Sequence, residues 1–515
     1  MIDARTIAGT QLVRLPAVVR GSVVMPPWPR VGDVRRVVAE REARRAHGPT
    51  DDGCYLIGRP VVDRDTLELT GETQVLVLPA PEASSLLEPD PAGALLELAR
   101  TPVPDVLAFV DAVGRALVSR SAEIAEAGAL LAATSLVTDR AHHAFLAQLP
   151  ALFDGAAVGR MIERDLGTAA LDAWSEIGEG TVSGMTARFV DHACRTPAAL
   201  RAVPTRQLHL TAGNAPVVPV VSLLWAWATK GAAVIKPAAE AAALIVALGA
   251  ALRAADPSHP LARHTTLAYW RGGDRRVETA LLADGAFDRR VVWGTAETVG
   301  SVTARGGTTD TLIMGPRFSL SLIGAELVRS DPEAAARRAA VDSLIANQAA
   351  CTSSLLHVVE CDAATADDYA RTLAGVLAGW DRALPHHPSR RAQERLTRLR
   401  RGLLGTARWY VNGDWPEVSS AVVRTDGAFD LAHHPGSRLV LVRAVDDLRH
   451  ALPWLGPGVS TVGVAPEEVR LSLRDAVAAR GVDNVVPLGA AEHGYAGRPH
   501  DGMRVLSRLV RWVNG

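Results

Sequence analysis

Apolar residues along this chain change their period several times, and each change marks a different kind of element. From residue 1 to about 90 they come in short runs broken by Pro and Gly, as in QLVRLPAVVRGSVV and TQVLVLPAP, which predicts β-strands and turns. Over residues 91–200 the spacing becomes three and four. DPAGALLELART, DVLAFVDAVGRALV and AEIAEAGALLAATSLV therefore read as helices. Between about 207 and 320 the two periods alternate. RQLHLTAG predicts a strand ending in a glycine turn, and PVVPVVSLLWAWATKG a helix opened by proline and closed by Gly231. AAVIKP, HTTLAYWRG and RRVVWGT are further strands, separated by the helices AAEAAALIVALGAALRAAD and VETALLADG. Repeated β–α–β alternation predicts an α/β fold with a parallel, doubly wound sheet.

A second alternation spans about 318–480. SDPEAAARRAAVDSLIANQAA reads as a helix with Asp331 as N-cap and Pro332 in its first turn. SSLLHVVE, RLVLVRA, STVGVA and, near the end, NVVPLG read as strands. No low-complexity linker separates the two alternating regions, so they are expected to pack closely, and no repeat of solenoid period is present.

At 515 residues the chain is long enough for about two to four structural units. Lys plus Arg (55) balances Asp plus Glu (56), so no basic face for nucleic acid is implied. The longest apolar run, APVVPVVSLLWAWA, is shorter than a membrane span needs and contains Pro219, which predicts a buried helix instead. The N-terminus shows no charged start followed by a long apolar core, so no signal peptide is expected. The four cysteines, Cys54, Cys194, Cys351 and Cys361, include no C-x-x-C pair. That spacing suits a reducing cytoplasm better than disulfides and predicts no metal site.

Cys351, in NQAACTSSLLHV, follows a helical pattern and precedes an apolar strand. On local grounds it is a buried filler, a ligand or a nucleophile. A lone cysteine after a helix in the second α/β region and a glycine-rich sheet edge in the first suggest a nicotinamide-dependent enzyme, although G-x-G-x-x-G is absent.

Six stretches in order carry a resemblance: TAGNAPVVPVVSLLWAWATKGAAVIKPAAE, YWRGGDRRVE, VVWGTAETVG, MGPRFSLSLIG, NQAACTSSLL and PLGAAEHGYAGRPHDGMRVLSRLVRWV. Through them the chain resembles the aldehyde dehydrogenase superfamily, and within it the LuxC-type fatty acyl-CoA reductases. The resemblance covers roughly 205–515. It implies two doubly wound α/β domains with a helix-rich N-terminal region. Residues 1–320 would hold the N-terminal region and cofactor domain, 321–480 the catalytic domain, and 481–515 a segment packing back on the cofactor or oligomer region.

The resemblance makes Cys351 the nucleophile, since a thiolate both attacks a carbonyl and leaves readily. Asn214 would help bind the oxyanion together with the Cys351 N–H. Lys236 would meet the adenosine ribose, and Gly294 and Thr295 the pyrophosphate at a helix N-terminus. Ala239 stands where NAD-preferring members often carry glutamate; a small neutral residue leaves room for a 2′-phosphate, which implies NADPH as cofactor. The glutamate on the nicotinamide ribose is replaced by His433 or His434. Ile313 takes the place of the glutamate that activates hydrolytic water, which argues against acid formation.

The implied reaction is NADPH-dependent reduction of an acyl-CoA or acyl carrier protein thioester to an aldehyde. The alternatives are a CoA-acylating aldehyde dehydrogenase working oxidatively and a cysteine acyltransferase or thioesterase without hydride transfer. The superfamily also implies a homo-oligomer, a dimer or tetramer. Cys361, His357 and the tail motif PHDG at 499–502 carry no assigned chemical role at this level.

Overall fold

The structure, a computed structural model, describes residues 2–39, 49–133, 146–179, 197–213, 217–386, 388–415, 418–427 and 429–515. Its first large sheet has five parallel strands in the spatial order Asp310–Met314, Arg289–Trp293, Arg206–Leu210, Ala232–Lys236, Thr265–Leu267. An N-terminal hairpin, Ala17–Val19 and Ser22–Val24, extends it antiparallel. Helices cover a parallel sheet on its faces, so its strands are apolar throughout rather than alternating. Arg206–Leu210 and Ala232–Lys236 accordingly bury nearly every residue.

Helix Val218–Ala228 carries Pro219 in its first turn and is buried on almost every side, as its unbroken apolar run predicts. Trp227 lies at its centre, fully buried, with its indole N–H donating to Thr265 Oγ1 at 2.9 Å and Phe109 packed at a ring-centroid distance of 5.2 Å. Phe109 belongs to helix Val103–Ser119, so the N-terminal helices and the sheet share one core.

The strand order reverses at Arg206–Leu210: the next two strands lie on one side of it and the following two on the other. Open α/β sheets bind ligands at such a switch point, outside the carboxyl ends of the strands. The residues there follow Leu210, Lys236, Leu267 and Trp293.

A second seven-stranded sheet has the order Ala407–Asn412, Ser420–Thr425, Leu439–Val445, Ser354–Glu360, Phe318–Ile323, Val459–Ala465, Asn484–Pro487. Only the edge strand Ala407–Asn412 is antiparallel. Helix Pro332–Leu344 packs on it, capped by the Asp331 carboxylate, which accepts from Ala334 N at 2.8 Å. His357 is fully buried here, bonded to Ser343 Oγ at 2.8 Å and Tyr369 Oη at 2.9 Å.

Two smaller sheets complete the fold. Asp3–Ile7, Thr10–Arg14, Leu69–Pro79 and Cys54–Val62 form a four-stranded one, and Arg511–Asn514, Pro197–Val203 and Ser175–Glu179 a three-stranded one. The helical reading of 91–200 holds for Pro91–Arg100, Val103–Ser119 and Ser121–Ala132 but not for Ser175–Glu179 or Pro197–Val203. These two strands lack an apolar period and owe their form to pairing with each other and with the chain's far end. Residues 134–137 of the third helical stretch lie outside the described residues. Among the described residues no helix is long and apolar enough to cross a membrane, and no group of His, Cys, Asp and Glu is arranged to hold a metal.

Candidate active site

The helix before Cys351 ends at Leu344, earlier than its sequence pattern suggests. Ala346, Asn347 and Gln348 then take left-handed backbone, with φ of 45°, 51° and 66°. For non-glycine residues this costs roughly 1–2 kcal/mol each, so the surroundings must hold it. The segment Gly436–Leu439 does so. Arg438 Nε donates to Asn347 Oδ1 at 2.8 Å, Ser437 N to Asn347 O at 3.2 Å, and Gln348 Nε2 to Leu439 O at 2.6 Å. Arg438 is itself anchored by Asp381 at 2.7 Å, the two side chains only 5% and 11% exposed. Removing one partner of a buried pair leaves the other charge uncompensated. Arg438→Ala is therefore expected to destabilise the fold by about 3–5 kcal/mol, measured by urea unfolding, and to slow acylation of Cys351 beyond what the stability loss explains.

This turn delivers Cys351 to the amino edge of the second sheet, just before Ser354–Glu360. Its carbonyl accepts from Ser319 Oγ at 2.7 Å, and Ser319 Oγ in turn accepts from Thr461 N at 3.0 Å, at a bulge in the central strand. Thr352 Oγ1 donates to Glu492 Oε1 at 3.1 Å. Glu492 sits on a loop pinned by Asp342, fully buried on helix Pro332–Leu344, whose carboxylate accepts from Gly489 N at 2.8 Å and Ala491 N at 2.9 Å.

The thiol is partly buried, and among the described residues no cation lowers its pKa. Burial pushes its pKa up, Asp501 pushes it further, a hydrogen bond from Ser460 opposes this, and Glu492 adds a smaller upward push. Asp501 belongs to PHDG, the tail motif that carried no role in the sequence. Its backbone is left-handed, at φ 47°, and its carboxylate lies 3.6 Å from Arg317 Nε. Burial raises the carboxyl pKa, and Arg317 opposes the rise. Arg317 also pairs with Asp483.

The thiolate is the reactive form, so alkylation of Cys351 by iodoacetamide should rise with pH and reach its midpoint above the ordinary thiol range. Asp501→Asn removes a negative charge that disfavours the thiolate. It should move that midpoint to lower pH, as read by peptide mass spectrometry of the alkylated residue; no shift, or a shift upward, would contradict the placement of Asp501.

His500, next in the motif, turns to the first sheet. Its ring stands edge-on to Trp293 at 4.9 Å and to Trp225 at 5.5 Å, and the two indoles stack at 5.4 Å. Burial first, then the charges of Arg498 and Arg317, lower its pKa to about 4, so it is neutral near pH 7. Trp293 ends its strand at the sheet's carboxyl edge, immediately before Gly294 and Thr295. The tail motif thus spans from the thiol to that edge.

Thr295 caps helix Ala296–Thr303, its hydroxyl accepting from Thr298 N, and is exposed with the helix N-terminus. A Cβ at Gly294 would meet Thr298 at 3.0 Å. Lys236 ends its strand with Nζ 5.4 Å from the Tyr269 ring centroid and 5.8 Å from that of Trp270. Burial lowers its pKa while Glu278 and Glu240 oppose that. Ala239 lies in the short turn after it, Ala239–Ala241.

His433 stands apart. Its side chain is 83% exposed and pairs with Asp430 at 2.9 Å, whereas His434 is buried and accepts from Gly436 N at 3.0 Å, beside the segment that holds the Cys351 turn. Asn214 lies outside the described residues, as does Cys194. Cys54 is buried beside Thr50, and burial raises Cys361 to about 11.

The family described as acyl-CoA reductase (LuxC) matches residues 98–512. The long-chain acyl-protein thioester reductase of Vibrio harveyi is 28% identical over 319 residues, covering 61% of this chain and 65% of the relative. The long-chain acyl-protein thioester reductase 2 of Photobacterium leiognathi is 26% identical over 321 residues, with the same coverage. The match thus spans slightly under two thirds of each relative's length. Among solved structures, aldehyde dehydrogenase 21 from Physcomitrella patens superposes with a TM-score of 0.67 at 12% identity, over 90% of this chain and 97% of that one. Aldehyde dehydrogenase C from Pseudomonas syringae, complexed with NAD+ and octanal, gives 0.64 at 13% identity, over 97% and 96%. The fold is that of the aldehyde dehydrogenases, and with a family match running from the N-terminal helices to the last strand, the chain belongs to the LuxC family of acyl-CoA reductases.

Proposed function

We propose that this chain reduces a long-chain acyl thioester to the aldehyde through an acyl-enzyme on Cys351, with NADPH as reductant. The observation that carries the reading is the tail motif, in which the Asp501 charge acts on the Cys351 thiol while His500 packs on Trp293 at the carboxyl edge that precedes Gly294 and Thr295. The chain length and the donor follow the relatives' names, which specify long-chain acyl-protein thioesters. Residues 1–320 then serve as N-terminal region and cofactor domain, and 321–480 as the catalytic domain.

The carboxyl edge fits a nicotinamide nucleotide. Lys236 Nζ makes no hydrogen bond among the described residues and is left to face a ligand, and the helix N-terminus after Gly294 is open to a pyrophosphate. Ala239 leaves space beside the adenosine ribose. When bound, the reduced nicotinamide supplies the hydride that converts the acyl group to the aldehyde level.

The remaining steps belong to this chain. The Cys351 sulfur adds to the thioester carbonyl, the donor's C–S bond breaks, and the donor leaves as a thiol carrying the proton that Cys351 gave up. The negative charge of Asp501 acts on the sulfur and disfavours its thiolate, while burial raises the Asp501 carboxyl pKa. The Cys351 N–H and Asn214 stabilise the oxyanion. After reduction the C–S bond to Cys351 breaks and the thiolate is regenerated.

The test is loss of nicotinamide absorbance when purified protein meets NADPH and a panel of acyl-CoA and acyl carrier protein thioesters. Oxidation of NADPH with stoichiometric aldehyde is expected. Thioester cleavage without NADPH consumption would replace this reading with an acyltransferase or thioesterase.

A further inference from the structure

The N-terminal strand Cys54–Val62 lies outside the residues matched by the family, 98–512, yet it reaches the carboxyl edge of the first sheet. Alternate residues of a strand share a face. Cys54 and Leu56 turn to a small core with Val34, Val75 and Val77, whereas Tyr55 and Ile57 turn to the main core of the first sheet. Tyr55 docks there firmly. Its hydroxyl donates to Asp274 Oδ2 at 2.6 Å, and its ring meets Tyr269 edge-on at 5.7 Å. Arg59, two positions beyond Ile57, continues this face.

Arg59 is partly buried, and the side chains whose charge reaches it are Glu240 and Tyr269. Tyr269 is also the ring under the Lys236 ammonium, and Glu240 acts on Lys236 as well. The Glu240 charge therefore acts on two cations from different sheets, and Glu240 is exposed and adjoins Ala239 in sequence. Arg59 forms no hydrogen bond and no ion pair among the described residues, an unusual state for a partly buried guanidinium with five donors. Glu240 packs against the turn at Gly213, where an added Cβ would come within 2.5 Å of its Oε2, and its carboxylate is exposed, so it is free to turn outward.

We infer that Arg59 recognises the 2′-phosphate of the nucleotide, together with Lys236 and in competition with Glu240. This rests on the nicotinamide site proposed above and adds a selectivity residue contributed by the N-terminal sheet. A guanidinium suits the task because it presents paired donors to phosphate oxygens. Without the phosphate, Glu240 stays near both cations, where a carboxylate accepts from ribose hydroxyls. The same cluster thus favours NADPH when Glu240 withdraws and tolerates NADH when it remains.

The experiment is equilibrium titration of the full chain with NADPH and with NADH, followed by tryptophan quenching, with 2′,5′-ADP and 5′-AMP as competitors. Arg59→Ala should lower the ratio of NADPH to NADH affinity by about tenfold, the loss of one charge-assisted contact. It should weaken 2′,5′-ADP by a similar factor relative to 5′-AMP. Arg59→Gln, which keeps the stem but not the charge, gives the same readout should the alanine variant fail to fold. Glu240→Gln should move the ratio the other way. Binding of both nucleotides with a ratio unchanged in Arg59→Ala and Arg59→Gln overturns the assignment of Arg59 and leaves the reductase reading intact. Failure of the parent chain to bind either nucleotide overturns both.

Discussion

Cys351→Ala is expected to lower aldehyde formation by a factor on the order of 10⁴ or more, while nucleotide affinity stays within about twofold. The reason is that covalent catalysis has no partial substitute here. The other described cysteines, Cys54 and Cys361, sit elsewhere, one buried beside Thr50 and one bonded weakly to Val359 O at 3.8 Å. The fold should survive the change. Cys351 is held through its backbone carbonyl, by Ser319 Oγ, and the turn before it is held by Arg438 and Gln348, so the side chain is not what keeps the segment in place. Kinetics with the parent's best thioester, alongside nucleotide titration of the same preparation, checks both halves. Retention of more than a few per cent of the rate would remove Cys351 from the mechanism.

The second large effect concerns the fate of the acyl-enzyme. In water, without reductant or added thiol, the thioester on Cys351 should persist, with hydrolysis slower than thiol discharge by about 10²–10⁴. Water needs a positioned base. Ile313, which the resemblance sets at the place of the hydrolytic glutamate, is a hydrocarbon on strand Asp310–Met314 with 41% of its surface exposed. The two carboxylates near the thiol are engaged: Glu492 accepts from Thr352 Oγ1, and Asp501 lies beside Arg317. A thiol needs less help, because a useful fraction is already thiolate. Quench-flow followed by mass analysis of free acid against new thioester measures the partition. Rapid free acid in the absence of coenzyme A would make Asp501 or Glu492 a hydrolytic base.

Much of this architecture is legible in the chain because its elements are defined by local periods. Arg206–Leu210, Ala232–Lys236 and Arg289–Trp293 read as short apolar strands between helices because a covered parallel sheet tolerates little else. Asp331 and Pro332 mark a helix start by a rule that acts within four residues. Long-range causes are not legible in that way. Ser175–Glu179 and Pro197–Val203 become strands through partners at the far end of the chain. The helix before Cys351 stops at Leu344 because Arg438 and Gln348 hold three residues left-handed, and only Asn347 of those three is a residue type that visits this region readily.

The same division runs through the site. Cys351, Lys236, Gly294 and Thr295 stand in ordered motifs and are proposed from the resemblance. Asp501 and Glu492 are far from Cys351 in sequence and reach it only through folding; Thr352 and Glu492 bond across 140 positions. The signal for Asp501 was present in PHDG, as a motif without a chemical role. Glu492, in AAEHG, had none, and Arg317 follows the MGP turn without marking itself as the partner of Asp501. Of the two histidines that the resemblance left open, His434 is buried, while His433 pairs with Asp430 at the surface.

The central claim is that the acyl group passes through Cys351, and one measurement addresses it directly. The full chain is incubated with a long-chain acyl-CoA in the absence of NADPH, quenched in acid, digested, and mapped by peptide mass spectrometry. The account predicts one added acyl mass, on the peptide containing Cys351, which disappears when NADPH is supplied before the quench and is matched by released aldehyde. An acyl mass on Cys361 or on a serine, or aldehyde formed with no adduct trapped on Cys351 at any time point, would contradict it.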